Sequence, residues 1–375
     1  MRKTRVLVYA GGGGSGGYVR YCRGLFASGS LPDSVEVWFI SSSSFHELIG
    51  LVDASVNVVS HPWIYSSFFF KRFLWHAFLY PNLVYRLKPD VEFYTSGILP
   101  PFRRLWKGRN KIISTCHNLL PFCIDESQSD GPYAEIKSQF HNQVRSLKSS
   151  DAIIFLSKYS KEVVSTAIGK HINSIVVAHG IDSSFRSVIN RSYKLESVIN
   201  ILYTSTIFPY KHQKEVVSAI KLLRQQTGFE IQLKLVGGGP SKYVNNLINF
   251  VKEQEATSYV TIIRYLDDKA LRAEYNLADI FVFASDCETF GIILLEAMAQ
   301  GLPIACSKAT GLVEILRDAG VYFDPTDASS IANSLHELIR NQHTCKRIGE
   351  QARQYSLQYT WEKCADTTFK FIGKI

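Results

Sequence analysis

The stretch Glu288-Thr-Phe-Gly-Ile-Ile-Leu-Leu-Glu296 sets two carboxylates eight positions apart across a strand-to-helix turn. The run before it, Asp279 to Ser285 (Asp-Ile-Phe-Val-Phe-Ala-Ser), is apolar, β-branched and aromatic, and reads as a buried parallel strand. Glu288 then falls in the loop at that strand's carboxyl end. Gly291 to Gln300 reads as a helix, with Gly301 as its stop and Pro303 just beyond. At ~1.5 Å per residue, Glu296 stands about 7.5 Å along the helix from Gly291. Open α/β sheets bind ligands outside the carboxyl ends of their strands, and a helix N-terminus offers N–H groups to an anion. A phosphorylated ligand fits such a turn, with the carboxylates accepting hydrogen bonds from sugar hydroxyls. Metal ligation and plain solvation are competing fates for two glutamates, and the spacing alone does not choose among the three.

Working outward, strand-like and helix-like segments alternate along all 375 residues, the mark of a doubly wound parallel α/β protein of two domains. The first domain is expected over residues 1–186, the second over 187–355, and residues 356–375 as a helix returning to the first. Its opening unit is a strand at Arg5–Ala10, a glycine loop at Gly11–Gly17 and a helix from Tyr18. The match of Gly12, Gly14 and Gly17 to a GxGxxG fingerprint is weak in so glycine-rich a run. The firmer point is physical: without Cβ atoms, Gly14, Gly16 and Gly17 let backbone N–H groups approach a phosphate or sugar. Further strands are read at Val35–Ile40, Val56–Val59, Asp90–Tyr94, Lys111–Thr115, Asp151–Leu156 and Ser174–Ala178, and His117 follows the fifth of the seven. After a polar linker at Arg186–Glu196 the second sheet is read at Val198–Thr204, Ile231–Val236, Tyr259–Arg264, Asp279–Ser285, Leu302–Cys306 and Val321–Phe323. Its loops hold Lys211, where a cation would reach a phosphate, and Gly237-Gly238-Gly239-Pro240, a second close-approach loop.

The totals exclude several classes. A hydrophobic fraction of 46% with 20% charged residues describes an ordinary globular protein. Seven scattered cysteines without a Cys-x-x-Cys pair argue against a zinc site or a disulfide framework and for a reducing compartment. The apolar run Val6–Ala10 is too short for a signal peptide, and no stretch is apolar enough to span a bilayer, so a cytoplasmic location is expected. The net charge of +9 is uneven: residues 1–190 hold 21 Lys and Arg against 13 Asp and Glu, the remainder 21 against 20. The excess peaks between Lys71 and Lys111, next to an aromatic run from Trp63 to Tyr85 that Pro81 is expected to break into two helices. Lys71, Arg72, Trp75, Arg103 and Arg104 are therefore candidates for contact with an anionic membrane and an acceptor at its surface, peripheral on the inner face of the plasma membrane. Core helices covering a sheet are the competing reading of the aromatic run. Nucleic acid is not expected, since no recognition module is visible.

With these residues in view the chain resembles glycosyltransferase family 4, retaining enzymes of the GT-B fold. The resemblance rests on Glu288-Thr-Phe290-Gly291 followed by Glu296-Ala297-Met298-Ala299 and Gly301-x-Pro303. It extends through Gly16-Gly17, His117, His179-Gly180-Ile181-Asp182, Lys211, Gly237 to Pro240, Gly311 with Glu314, and Trp361. It implies two Rossmann-like domains facing each other across a cleft, the second binding a nucleotide-diphosphate sugar and the first an acceptor. By the same resemblance Glu296 binds the ribose hydroxyls, Glu288 the transferred sugar and His117 the sugar near its reacting carbon. Lys211 and the N–H groups of Phe290, Gly291 and Ile292 neutralise the diphosphate, Gly16, Gly17 and Gly238 approach the donor, and Arg264 lies near the base. The family's usual arginine is replaced by Thr206, which removes a charged hydrogen bond of roughly 1.5 to 3 kcal/mol. His212, Arg264 and Lys308 are the cations that could compensate.

The chemistry so implied is hexosyl transfer to a glycan or lipid-linked saccharide without metal or cofactor, in bacterial surface-polysaccharide assembly (O-antigen, capsule or exopolysaccharide). Asp286-Cys287-Glu288 looks like a metal-binding triplet, but the family motif accounts for Glu288 better. A non-catalytic nucleotide-sugar binder and a same-fold epimerase or hydrolase are the alternatives. A nicotinamide dehydrogenase is disfavoured because Val35–Ile40 ends apolar where an acidic residue is needed.

Overall fold

The computed structural model describes residues 2–375 except 11–15, 27–30, 51–55, 65, 104–107, 109, 124–132, 170–172, 187–190, 192 and 194–196, with backbone alone at 133–135. The chain forms two compact units, Met1–Gly180 with Tyr359–Ile375, and Ile181–Gln358.

The first unit is a seven-stranded parallel sheet of β1 (Thr4–Tyr9), β2 (Val35–Ser41), β3 (Val56–Ser60), β4 (Val91–Tyr94), β5 (Lys111–Cys116), β6 (Ala152–Phe155) and β7 (Asn173–Val176), in the order β3-β2-β1-β4-β5-β6-β7. β4 and β6 are buried at every position, as expected of strands covered on both faces. The helix Gly16–Phe26 packs against the C-terminal helix Trp361–Ile372, with Phe26 and Phe369 edge to face at 6.0 Å. A Cβ on Gly24 would stand 2.1 Å from Trp361, so only glycine lets the indole seat there.

The second unit has six parallel strands: β8 (Val198–Thr204), β9 (Glu230–Val236), β10 (Val260–Ile263), β11 (Ile280–Phe283), β12 (Ile304–Ser307) and β13 (Val321–Phe323), ordered β10-β9-β8-β11-β12-β13. That is the Rossmann order 3-2-1-4-5-6, whose switch point falls between β8 and β11. Both units are thus Rossmann-like, and the fold is GT-B. Among the described residues no helix is long and apolar enough to cross a membrane.

The basic aromatic segment departs from its sequence reading. Residues 69–87 run as one helix, and Pro81 does not break it. A π-turn at Trp75–Leu79, in which Tyr80 N–H reaches back five residues to Trp75 C=O, precedes the proline and absorbs the misfit of a residue with no N–H. Trp75 is 3% exposed, stacked on His61 at 4.8 Å and buried with Leu7, Tyr9, Ile40, Tyr80 and Tyr94, so it is a core residue and offers nothing to a lipid surface. Arg103 is likewise buried. Its guanidinium pairs with Glu92 at 2.7 Å, and Glu92, on β4, also accepts hydrogen bonds from Tyr80 (2.8 Å), Tyr94 and Asn110. A carboxylate inside a sheet demands such a partner, which is why this arginine turns inward. Lys71 and Arg72 are exposed, together with Phe68, Phe69, Phe70, Phe78 and Tyr85. Arg104 lies outside the described residues.

Candidate donor-binding site

Four loops at the carboxyl ends of β8, β9, β10 and β11 carry the second unit's candidate residues. The loop after β8 runs Ser205 to His212. Lys211 lies in its terminal 3₁₀ turn, Pro209–Lys211, and the peptide carbonyl of Lys211 accepts from Tyr203 OH at 2.5 Å. The Lys211 side chain is 6% exposed as a residue and points to the next loop, where its Nζ pairs with Glu288 Oε1 and donates to Ser285 Oγ at 3.2 Å. Asp286, two residues before Glu288, takes a different partner, His212 Nε2 at 2.8 Å. The two acids of the acid-x-acid triplet therefore diverge to two protein cations. Among the described residues no cluster of three or more His, Cys, Asp or Glu is placed to hold a metal.

The turn at Gly291 fits the sequence reading. Gly291 takes φ 89°, and a Cβ there would stand 2.5 Å from Leu312 Cδ2, so glycine is required twice over. The helix spans Ile292–Ala299, and its first intrahelical bond runs from Leu295 N–H to Gly291 C=O at 3.2 Å. The N–H groups of Ile292 and Ile293 precede that bond and point to the helix N-terminus, where the macrodipole is positive. Glu296 is 2% exposed. Its Oε2 accepts from Tyr275 OH at 3.0 Å, and the same hydroxyl pairs with Thr204 Oγ1 at 2.8 Å. Tyr275 escaped the sequence reading, because one tyrosine in the amphipathic helix Asp268–Leu277 has the look of a core residue; only its position facing β8 gives it a polar task.

The glycine loop after β9 is held by close approach. At Gly237, φ is 147° and a Cβ would lie 1.9 Å from Ser205 C=O, while Gly238 C=O accepts from Ile207 N–H at 2.8 Å. Arg264 follows β10 and is exposed, as is Thr206. Thr206 C=O accepts from Gln213 Nε2 at 2.9 Å, so its backbone is fixed, but it brings no charge. The cation nearest in sequence to Lys211 is His212. Burial works against protonation of its ring, but the hydrogen bond with Asp286, the Glu215 carboxylate 3.6 Å from Nδ1 and the charges of both acids outweigh this and raise its pKa to about 9. Lys308 is exposed and 4.0 Å from Asp324.

In the first unit Gly16 and Gly17 open the helix Gly16–Phe26, and a Cβ at Gly16 would meet nothing within 4 Å. Gly12 and Gly14 lie outside the described residues. His117 follows β5, edge-on to Tyr21 at 4.3 Å and 5.4 Å from His179. Burial, then the neighbouring His179, holds its pKa well below 6.5, and burial lowers His179 to about 3. Both rings are neutral at pH 7.

Comparison with known proteins follows the same lines. Residues 187–355 match the family model described as glycosyl transferases group 1. The O-antigen chain mannosyltransferase B of Escherichia coli is 24% identical over 267 residues, 69% of this chain and 69% of that protein. A GDP-mannose-dependent alpha-(1-6)-phosphatidylinositol monomannoside mannosyltransferase of Mycobacterium tuberculosis is 24% identical over 240 residues, 60% of this chain and 62% of that one. The chain thus spans about two thirds of the length of these relatives. Anabaena HepE, solved with UDP-glucose, superposes with a TM-score of 0.77 at 16% identity, covering 99% of this chain and 100% of the other. Sucrose-phosphate synthase from Thermosynechococcus elongatus gives 0.75 at 16% identity, with 100% and 99% covered. At those identities the likeness is one of fold. The family match falls on the unit that carries Lys211, Glu288 and Glu296, and it is residues 187–355 that match the glycosyl transferases group 1.

Proposed function

We propose that this glycosyltransferase is retaining and metal-independent, and moves a hexosyl group from a nucleoside-diphosphate sugar to a glycan or lipid-linked saccharide in bacterial surface-polysaccharide assembly. The observation that carries the reading is the Lys211–Glu288 pair at the β8/β11 switch point, with Glu296 behind it on the helix that Gly291 starts. Breaking the bond from an anomeric carbon to a diphosphate builds positive charge on the sugar and negative charge on the phosphate. Lys211 and the N–H groups of the first helical turn answer the phosphate, Glu288 answers the sugar, and Glu296 takes the ribose hydroxyls. On the first unit, Gly16, Gly17 and His117 are the residues this reading assigns to the phosphates and to the sugar near its reacting carbon. The departing phosphate oxygen takes the acceptor's proton, so no protein base is required on that face. Metal independence is supported by the partners of the acids: Glu288 and Asp286 are each already paired with a protein cation.

The names of the relatives make GDP-mannose the first donor to try, with UDP-glucose second. The assay is transfer of labelled sugar to a lipid-linked saccharide by the full chain, with and without EDTA, and anomeric analysis of the product. Wild type should give an EDTA-insensitive product of retained configuration, and Glu288→Ala should lose at least a hundredfold. Release of free sugar without acceptor product would favour the hydrolase reading. Thr206 motivates a second reading, donor binding without turnover, which predicts a nucleotide complex and no product with any acceptor.

A peripheral membrane contact belongs to the same proposal. Its support is the exposed aromatic and cationic residues within 68–87: Phe69, Phe70, Phe78 and Tyr85 with Lys71 and Arg72. Flotation with anionic liposomes at low salt should carry the wild type and leave behind a Phe69→Ser, Phe70→Ser, Lys71→Glu, Arg72→Glu variant; equal flotation of both would refute it.

A further inference from the structure

Two loops meet at the carboxyl ends of β8 and β11, and beside the Lys211–Ser285 hydrogen bond at 3.2 Å three links join them. Lys211 pairs with Glu288, Asp286 N–H donates to Tyr210 C=O at 3.1 Å, and His212 Nε2 bonds Asp286 Oδ2 at 2.8 Å. The first link is the pair assigned to the donor, and the second is backbone. The third is not assigned to the donor above, yet it is held against a conformational penalty: His212 sits at φ 51°, ψ 35°, a left-handed backbone that side chains rarely adopt and glycine adopts freely. Among the described residues, charged groups lie near the ring from its own helix and from two other loops. Asp286 comes from the loop after β11, and Glu215 from the ring's own helix at 3.6 Å from Nδ1. Lys211 precedes it in the chain. Asp324, beyond β13, is held low first by hydrogen bonds from Thr326 and then by the charges of Lys308 and His212.

We propose that the His212–Asp286 ion pair is a clasp that positions the loop of Glu288 against the loop of Lys211, so that the sugar-side carboxylate and the phosphate-side cation are presented together. This deepens, and rests on, the reading of Lys211 and Glu288 as donor-binding groups. His212 stands one residue after Lys211 and Asp286 two before Glu288, so the clasp lies just outside the working pair and sets the separation of the two backbones. It is a cationic clasp at neutral pH, since the ring's pKa is raised to about 9. A histidine raised above its unfolded value contributes fully below pH ~6.5, and its contribution is lost as pH rises through about 9.

The test compares wild type with His212→Gly, His212→Asn, His212→Lys and Asp286→Asn in the full chain, by amide hydrogen exchange and by transfer kinetics. Glycine and asparagine both suit the left-handed backbone, so a loss in those variants does not come from a misfolded turn. Exchange over residues 285–291 should quicken about tenfold in His212→Gly, His212→Asn and Asp286→Asn, with β9 unchanged, while His212→Lys, which keeps a cation for Asp286, should recover most of the protection. The kcat/KM for donor should fall about tenfold in the same three variants. The loss of activity near pH 9 in wild type should shift upward in His212→Lys and vanish in His212→Gly. Unchanged exchange over 285–291 in both His212→Gly and Asp286→Asn, or a lysine variant as loose as the glycine one, would overturn the clasp. A wild type that transfers no sugar from any donor would instead defeat the transferase reading, and the exchange data would still decide the clasp.

Discussion

Replacing Lys211 by methionine removes a charge while keeping most of the side-chain volume, and the energetic consequence falls on Glu288. The Lys211 side chain is 7% exposed and that of Glu288 16%, so the pair sits largely out of water. Truncating one partner of a buried pair costs about 3 to 5 kcal/mol, because the other charge is stranded. The residual exposure of Glu288 allows partial hydration and places Lys211→Met near the lower end, about 3 kcal/mol. Glu288→Gln is gentler, about 1 to 2 kcal/mol, since Lys211 keeps Ser285 Oγ at 3.2 Å and an amide oxygen. The double variant strands no charge and should cost about 2 to 3 kcal/mol rather than the sum, a coupling of roughly 2 kcal/mol. Tryptophan fluorescence cannot follow this, because Trp38, Trp63, Trp75, Trp106 and Trp361 all belong to the first unit. Amide exchange of β11, measured through a urea series, reports the right unit. Single-variant costs that add within about 0.5 kcal/mol would refute the argument that each group keeps the other from being a lone buried charge.

Three further outcomes are expected. Tyr275→Phe keeps the ring's packing on Phe281 but removes the hydroxyl 3.0 Å from Glu296, and calorimetry should show nucleoside-diphosphate affinity falling about tenfold. Gly291→Ala forces a Cβ into a φ of 89° and against Leu312, so thermal unfolding of the second unit should show a loss of about 2 to 3 kcal/mol and turnover should collapse with the helix start. His117 and His179 are buried neutral, so the unfolded state binds more protons below pH 6.5, and stability drops from there toward pH 3 and is insensitive to these rings above it. His179→Phe should flatten the loss between pH 6.5 and 5 by about 2 kcal/mol in urea titrations, read from Trp361, whose ring lies 5.6 Å from His179.

The architecture was legible because parallel strands buried on both faces leave an unmistakable record. Ile280–Phe283 and Ala152–Phe155 are apolar at every position, the first followed by Ala284-Ser285-Asp286 and the second by the helix cap Ser157. The place of Glu288, Gly291 and Glu296 on a strand-to-helix turn was legible from the apolar run before it and the Gly301 and Pro303 stop after it, whereas their assignment to a sugar donor came from the family resemblance, since the spacing alone left sugar, metal and solvent open. What stayed hidden depends on pairing across the chain. Nothing near Arg103 in sequence distinguishes it from Lys71, yet Glu92 on the neighbouring strand draws one inward and leaves the other in solvent. Trp75 looked like an interfacial anchor because it lies in an aromatic run beside Lys71 and Arg72; that Trp75 is buried while Phe69, Phe70 and Phe78 are exposed is decided by packing, which composition does not encode. Tyr275 and Glu296 are 21 residues apart and meet only through the packing of two helices on one sheet.

The most direct measurement is binding of nucleoside diphosphates and their sugars, GDP-mannose and UDP-glucose first, to the wild type and to Glu296→Ala by thermal shift. At ~100 times its dissociation constant a ligand stabilises by about 2.7 kcal/mol, well within reach of the method. The account predicts that one nucleotide series stabilises the wild type and leaves Glu296→Ala unmoved. Stabilisation of neither protein by any nucleotide, or of both alike, would contradict the donor site at Lys211, Glu288 and Glu296.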